Sequence, residues 1–440
     1  MAAPRILVVP GGTSIGAVAL ANASIHKLVE LYEERAADPN HPAPHTVVFV
    51  RDPAKVPPAT LRGSAATPEQ AFPEEDYPGL ANHIKNDPHF FDGVDLVLST
   101  SGSSAGKPRL VGLSTDALMA SVKATELALD GPGRWILALP THHIAGAMIL
   151  VRAAVAGTNP QVVDTTNGFH PRDLLPAIKG VTQDDMPGYL SLVPTQLVQC
   201  LDADEEVLEA LRSLSAILVG GAAISQHLLE RALNAGLKVR ITYGMTETAG
   251  GCVYDGEPMP GITVRAVDWD GRTRLAFNGP TLMTRYLDAD SPFFEEGGQR
   301  WMVSGDMGVI RASGKVEVSG RADDVIISGG LSIAPGPLRR AARSYEGISD
   351  AWILGTPDEK WGQIVTALVV PHQMPSDSLE MAELGSAVRE HAAAHIGRAQ
   401  APRRVVAVTE LPYLGFDKID RGAAVAAATA AEGTKRDWVR

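Results

Sequence analysis

The stretch Leu98–Val111, LSTSGSSAGKPRLV, decides how this chain is read. Four serines, a threonine, two glycines, a lysine and an arginine follow one another within a dozen residues. The mainly apolar run Val94–Leu98 is expected to be a buried strand, and the small residues after it a loop. Such a loop turns backbone N–H groups and hydroxyls toward an anion, with cations beside it. It is not a Walker loop. Gly102 and Gly106 are separated by three residues where that motif has four, and Pro108 stands where the magnesium-binding Ser/Thr belongs. Proline has no N–H to donate and is poorly suited to the helix that should follow. A flexible Ser/Gly linker is the plain alternative, and what separates the two lies further along the chain.

At 440 residues the chain exceeds a single simple core, so two or more domains are expected. Its 45 % apolar and 20 % charged residues suit a soluble globular protein. A net charge of −12 argues against a nucleic-acid-binding surface while leaving room for a local basic pocket. Cys200 and Cys252 make no disulfide framework, which points to a reducing compartment. The N-terminal MAAPRILVVPGG has too short an apolar run for a signal peptide. No stretch approaches the ~20 apolar residues of a membrane helix. A soluble cytoplasmic enzyme is expected, with monomer and homo-oligomer both open. The 12 histidines and two cysteines show no structural-zinc spacing.

Periodicity predicts a strand at Arg5–Pro10 and a helix at Ile15–Glu34, joined by GGTSIG (Gly11–Gly16), read as a plain turn. Pro42–Pro78, rich in Pro, Ala and Glu, reads as loop. Helices follow at Thr115–Leu129, capped by Ser114 or Thr115, and at Ile144–Ala156. Strands are expected at Trp135–Leu139, Gln161–Val163, Tyr189–Val193, Ala216–Val219 and Lys238–Thr242, with helices at Pro194–Leu201 and Ser225–Ala235. This alternation implies parallel-rich sheet covered by helices. TSGSSAGK, GGA and YGMTET each end a strand, where such folds form their ligand crevice. From about Gly261 short alternating strands suggest a β-rich subdomain. An α+β region follows Gly320–Asp324, with Lys418 in a loop and an Ala-rich tail at Ala423–Ala431.

Five motifs carry a resemblance: Thr100–Arg109, YGMTET (Tyr243–Thr248), SGDMG (Ser304–Gly308), GRADDVIISGG (Gly320–Gly330) and DKIDR (Asp417–Arg421). Their order and spacing resemble the adenylate-forming superfamily of acyl-CoA synthetases, luciferases and peptide-synthetase adenylation domains, from about Val94 to Arg421. The phrases LPTHHIAGAMILVRA, LVPTQL, LVGGAAIS, ITYGMTETAGG, DDVIISGG and DEKWGQ most resemble the o-succinylbenzoate–CoA ligases of menaquinone biosynthesis. The resemblance implies a large N-terminal adenylation domain, 1–321, and a small mobile C-terminal α+β domain, 322–440. It also implies an AMP-forming acid–thiol ligase that uses ATP, Mg²⁺ and coenzyme A. Such a site crowds negative charge at the α-phosphate and so needs donors and cations rather than a protein nucleophile.

By the same resemblance, Thr100, Ser101, Gly102, Ser103, Ser104, Gly106 and Lys107 would hold the β- and γ-phosphates. Tyr243 would stack on adenine, with Gly220, Gly221 and Ala222 lining the slot and Gly244 and Met245 continuing it. Thr246 would contact the α-phosphate, and Glu247 would ligate Mg²⁺. Asp306 and Arg321 would bind the ribose. Lys418 would reach the α-phosphate and the acyl carboxylate, Asp323 would be the hinge, and Ser328, Gly329 and Gly330 would approach the pantetheine tunnel. His143 falls on the histidine of a PxxHxxG phrase that lines the acyl pocket. Lys238 and Arg240 are candidates to face a second substrate carboxylate, against the plainer reading of strand-end charges. Taken singly, Asp306 could be a turn residue, Glu247 a helix-start charge, Tyr243 a core residue and Lys418 a solvated lysine.

The sequence also departs from the family. There is an extra residue near Ala105, Arg109 replaces a lysine, Asp417 replaces the glycine before Lys418, and Leu331, Ala334, Arg339 and Arg340 replace aromatic and acidic residues. Another aryl- or acyl-CoA ligase, or a non-catalytic nucleotide-binding relative, is the alternative.

Overall fold

The alternating apolar runs of the first 260 residues build two sheets. The computed structural model describes residues 4–38, 45–55, 65–100, 108–414 and 418–440. In the first sheet, strands Arg5–Pro10, Thr46–Arg51 and Leu96–Ser99 run parallel, and Leu110–Leu113 and Arg285–Tyr286 close the edge antiparallel. In the second, Gln161–Val162, Arg134–Leu137, Gly188–Leu192, Ala216–Val219 and Val239–Met245 are parallel. Gly250–Tyr254 and Glu257–Pro258 then turn back antiparallel.

Thr46–Arg51 corrects the reading of Pro42–Pro78 as loop. All six residues are buried between two parallel neighbours. A β-branched and aromatic run, TVVFVR, fits a strand covered on both faces, whatever the composition around it.

Helix Thr115–Ala128 starts where the Ser114 hydroxyl accepts the Ala117 N–H at 3.2 Å. Beside it, Ile144–Val155 buries every residue from Gly146 to Ala153 and packs against Ile15–Ala37 and Thr115–Ala128. The second sheet sits on a core of Ile136, Leu190 and Ile217 with Leu174, Leu197 and Ala232 from the covering helices.

By its contacts the chain divides into two units, 1–264 with 277–302, and 265–276 with 303–440. The second unit holds the hairpin Asp306–Ile310/Val316–Arg321. It also holds a sheet in the order Leu331–Ile333, Ile326–Ser328, Gly362–Pro371, Arg404–Ala407, Asp437–Val439, with Ile348–Asp358 also on Gly362–Pro371. Along Gly362–Pro371, Val365, Ala367 and Val369 face helices Pro335–Arg343 and Ser378–Ile396, while Leu368 faces Ala424 and Ala428. Alternation along one strand thus gives this sheet two covered faces.

The last helix of the chain holds the Ala-rich stretch. The Ala-rich tail is helix Arg421–Ala430, whose first turn is capped by Asp420 accepting the Ala423 N–H at 2.9 Å. Lys418 is in strand Lys418–Ile419, paired with Tyr413–Leu414, rather than in an open loop. No helix of the described residues is long and apolar enough to cross a membrane.

Candidate active site

Strand Val239–Met245 does not stop before its motif. Tyr243, Gly244 and Met245 are its last residues, and Thr246–Thr248 form a single 3₁₀ turn after it. Gly244 pairs with Gly251 and Met245 with Gly250 on the returning strand. The Thr248 hydroxyl accepts the Met245 N–H at 3.1 Å and donates to the Gly250 carbonyl at 2.7 Å, closing the turn from within. Ala249 follows at φ 50°, a conformation uncommon for a residue with a side chain. The Ser121 hydroxyl donates to its carbonyl at 2.8 Å.

This reversal leaves Glu247 beside the first sheet. The Glu247 carbonyl accepts the Met283 N–H at 2.8 Å. Its carboxylate Oε1 accepts the Tyr286 hydroxyl at 2.7 Å. Burial first, then the Glu247 charge, push the Tyr286 hydroxyl far above the ordinary tyrosine range, so it stays a donor. The Arg109 guanidinium lies 5.0 Å from the Tyr286 ring centre. Arg109 in turn pairs with Thr100 across the base of the Ser/Gly loop. Its N–H reaches Thr100 Oγ1 at 2.9 Å, and Thr100 N–H reaches its carbonyl at 2.8 Å. Thr100 and Glu247, 147 positions apart, are therefore joined through Arg109 and Tyr286. Ser101, Gly102, Ser103, Ser104, Gly106 and Lys107 lie outside the described residues.

The Glu247 carboxylate offers the hard oxygen that Mg²⁺ takes. Among the described residues no group of three His, Cys, Asp or Glu could hold a metal ion.

Gly220, Gly221 and Ala222 follow strand Ala216–Val219, next to Val239–Met245. A Cβ on Gly220 would stand 2.3 Å from Thr242 Oγ1, so only glycine lets these two strand ends approach so closely. Tyr243 stacks on Phe277 with ring centres 6.0 Å apart. His143 is the N-cap residue of helix Ile144–Val155, its ring 4.4 Å from that of His142. Ile144 and Met148 of that helix lie against Gly250. Burial lowers the pKa of His142.

Lys238 and Arg240 are not brought to this end. They flank the first residue of the strand, about 16 Å (Lys238) and about 10 Å (Arg240) before Tyr243 at ~3.3 Å per residue. Lys238 donates to the Leu214 carbonyl at 3.0 Å, and Arg240 pairs with Asp255 at 2.8 Å. The strand-end reading of both charges is the one the geometry carries.

Within the second unit, Asp306 and Arg321 are paired residues of one hairpin. Arg321 lies over Gly305, 3.6 Å from Asp306 and 3.7 Å from Asp323. Asp324 forms a two-pronged ion pair with Arg421, at 2.5 and 2.7 Å. Burial raises the Asp324 pKa, opposed by Arg421 and Arg321. Gly329 and Gly330, both at positive φ, make the two-residue turn between Ile326–Ser328 and Leu331–Ile333. A Cβ on Gly329 would strike the Trp361 ring at 2.4 Å.

Residues 14–287 match the family model for AMP-binding enzymes, and residues 340–414 match the model for the C-terminal domain of AMP-binding enzymes. The chain belongs to the AMP-binding enzyme family. The expected place in the adenylate-forming superfamily is thereby borne out. This AMP-binding enzyme is 38 % identical over 339 residues to a probable 2-succinylbenzoate–CoA ligase of Mycobacterium tuberculosis, covering 76 % of this chain and 84 % of that protein. It is 28 % identical over 370 residues to a 2-succinylbenzoate–CoA ligase of Staphylococcus aureus, covering 80 % and 70 %. Its fold is similar to that of the Bacillus subtilis o-succinylbenzoate CoA synthetase solved with the acyl-adenylate OSB-AMP (TM-score 0.66, 20 % identity, 96 % of this chain and 94 % of that one). It is also similar to that of ATP-bound MatB of Rhodopseudomonas palustris (TM-score 0.71, 18 % identity, 97 % and 89 %).

Tyr286, Ser121 and Asp324 of this AMP-binding enzyme were not among the expected site residues. TRYL carries no motif, and only the pairing of Tyr286 with Val111 across the sheet edge brings it to Glu247. Asp324 stood in a quoted motif but without a partner, since Arg421 is 97 positions away.

Proposed function

We propose that this chain is an ATP-dependent, AMP-forming ligase that joins 2-succinylbenzoate to coenzyme A, a step of menaquinone biosynthesis. The substrate carboxylate attacks the α-phosphorus, the bond to pyrophosphate breaks, and acyl-adenylate forms. The thiolate of coenzyme A then attacks the acyl carbon and AMP leaves. The observation that carries the reading is the turn that presents Glu247 beside Tyr286, Arg109 and Thr100. The identity of the acid is supported by the 38 % identity to a probable 2-succinylbenzoate–CoA ligase.

In this reading Thr100 and the loop through Lys107 hold the β- and γ-phosphates. Tyr243 stacks on adenine beside Gly220–Ala222, with Gly244 and Met245 continuing the slot, and Thr246 donates to the α-phosphate. Glu247 would hold Mg²⁺, which would supply charge neutralisation at the phosphates. Asp306 and Arg321 hold the ribose hydroxyls. Lys418 bridges α-phosphate and carboxylate during adenylation. Residues 322–440 then turn about Asp323, and Gly329 and Gly330 approach the pantetheine. His143 lines the acyl pocket. Use of ATP and coenzyme A suits a cytoplasmic site of action.

A second reading, another aryl or acyl acid, is favoured by one observation. The cations considered for the second carboxylate, Lys238 and Arg240, are engaged at the far end of their strand. Pyrophosphate release from ATP across a panel of acids, with and without coenzyme A, tests both. The fastest release with 2-succinylbenzoate supports the first reading, and a faster acid with one carboxylate supports the second. Release of ADP, or no release with any acid, excludes the ligase.

A further inference from the structure

Asp323 stands between two anchors. On one side Ala322, fully buried, donates its N–H to the Gly305 carbonyl at 2.8 Å and accepts from the Arg272 guanidinium at its own carbonyl. On the other side the Asp324 carboxylate grips the Arg421 guanidinium with both oxygens. The Asp324 side chain is 17 % exposed and that of Arg421 36 %, so the pair is part-buried, and its two-pronged geometry sets it apart from a single-contact surface pair. Arg421 is the first residue of its helix, three positions after Lys418 and just after the Asp420 cap. The Asp420 N–H also donates to the Pro412 carbonyl at 2.8 Å, continuing the ladder in which Lys418 pairs with Leu414.

We infer that Asp324 and Arg421 are positioning residues that couple backbone rotation at Asp323 to the strand carrying Lys418. A change of φ or ψ at Asp323 moves Asp324 relative to Ala322. Everything rigidly joined to Asp324 moves with it, and the Arg421 fork is one such path to the strand of Lys418. A second tie holds the other strand of the ladder. The Tyr413 hydroxyl donates to Asp350, Arg339 Nη2 reaches Tyr413 at 3.3 Å, and Arg343 Nε reaches Asp350 at 3.0 Å. Arg339, one of the departures from the family pattern, thus has a place in holding the ladder.

The inference rests on the roles proposed above for Asp323 and Lys418, and its test separates the two. In the full chain, pyrophosphate release and the reaction of pre-formed acyl-adenylate with coenzyme A are measured for Lys418→Ala, Arg421→Gln, Arg421→Lys, Asp324→Asn and the double variant Asp324→Asn/Arg421→Gln. Misplacing a reacting group by about 1 Å can slow a reaction about 10²-fold. Arg421→Gln and Asp324→Asn are therefore expected to slow adenylation by about 10- to 100-fold with KM for ATP near the parent value. The second half-reaction should change much less, Arg421→Lys should recover part of the loss, and the double variant should be no slower than either single one. Amide exchange at Ile419 and Asp420 should speed up in Arg421→Gln, with or without turnover. Equal slowing of both half-reactions, multiplicative losses in the double variant, or unchanged exchange would each overturn the coupling. A parent rate in Lys418→Ala would instead remove the role of Lys418, and the coupling with it.

Discussion

The Glu247 turn and the Lys418 ladder are held in opposite ways. Glu247 follows a strand of a seven-stranded sheet, its turn is closed internally by the buried Thr248, and its carboxylate meets a buried tyrosine from another sheet. Lys418 sits in a two-residue ladder whose ties are the half-exposed Arg421 and the exposed Tyr413. A group fixed by core packing cannot be moved without disturbing the core, whereas a group fixed by side-chain ties on a short hairpin can open at little expense in global stability. In the proposed mechanism the residue assigned to Mg²⁺, Glu247, is thus held by core packing, whereas the lysine assigned to adenylation sits on a ladder that can open. Substitutions at the first should affect stability and activity together, and those at the second should affect activity alone.

The largest effect is expected from Lys418→Ala. Removing a charge-stabilising group of this kind slows a reaction by about 10²–10³, so acyl-adenylate formation should fall by that factor in single-turnover assays. The melting temperature and the reaction of pre-formed acyl-adenylate with coenzyme A should stay near the parent values. A parent rate of adenylation would break the contrast at its lysine end.

Glu247→Gln keeps the acceptor for Tyr286 but removes the charge that would hold Mg²⁺. Pyrophosphate release should fall by about 10² while circular dichroism reports an intact fold. A folded variant with the parent rate would take Glu247 out of the mechanism.

Tyr286→Phe sharpens the contrast, because it removes the hydroxyl of a residue that strand pairing and burial place against Glu247. The lost hydrogen bond to a carboxylate is worth about 1.5–3 kcal/mol. A lower melting temperature should therefore accompany a weaker response of adenylation to Mg²⁺. A change in Mg²⁺ response with no thermal shift would mean that the hydroxyl carries no structural load.

The smallest effect concerns Asp95, which ties the strand before the Ser/Gly loop to the next helix. Burial raises its pKa, but this is outweighed by hydrogen bonds from His45 at 3.1 Å and from the Thr115 N–H and hydroxyl at 2.7 and 2.9 Å, leaving it below the usual aspartate value. A carboxylate lowered in the folded state stabilises above its unfolded pKa, and that contribution is lost as the pH falls below about 4 through the folded value. Thr115→Val should shift the acid-unfolding midpoint to higher pH in a circular-dichroism titration and leave stability at pH 7 to 8 lowered by a similar small amount. An unshifted midpoint would show that Asp95 is held by its other two contacts.

What the chain by itself determined is what local chemistry enforces. Alternating apolar strands and amphipathic helices specify parallel-rich sheets, as at Arg5–Pro10 and Ala216–Val219. Ser114 and Asp420 cap helices wherever the tertiary structure places them. The order of YGMTET, SGDMG, GRADDVIISGG and DKIDR was enough to reach the family. Thr46–Arg51 was hidden because its proline- and alanine-rich flanks dominated the local composition, and only burial between two parallel strands distinguishes it from loop. The sequence already put Lys238 and Arg240 toward the start of the strand that ends in YGMTET, but only the structure shows what engages them there, the Leu214 carbonyl and Asp255. Sequence spacing could not pair Glu247 with Tyr286, or Asp324 with Arg421. Such contacts join residues 39 and 97 positions apart, and no local preference encodes a partner at that distance. It is strand pairing across the sheet, and the packing of one terminal helix, that bring them together.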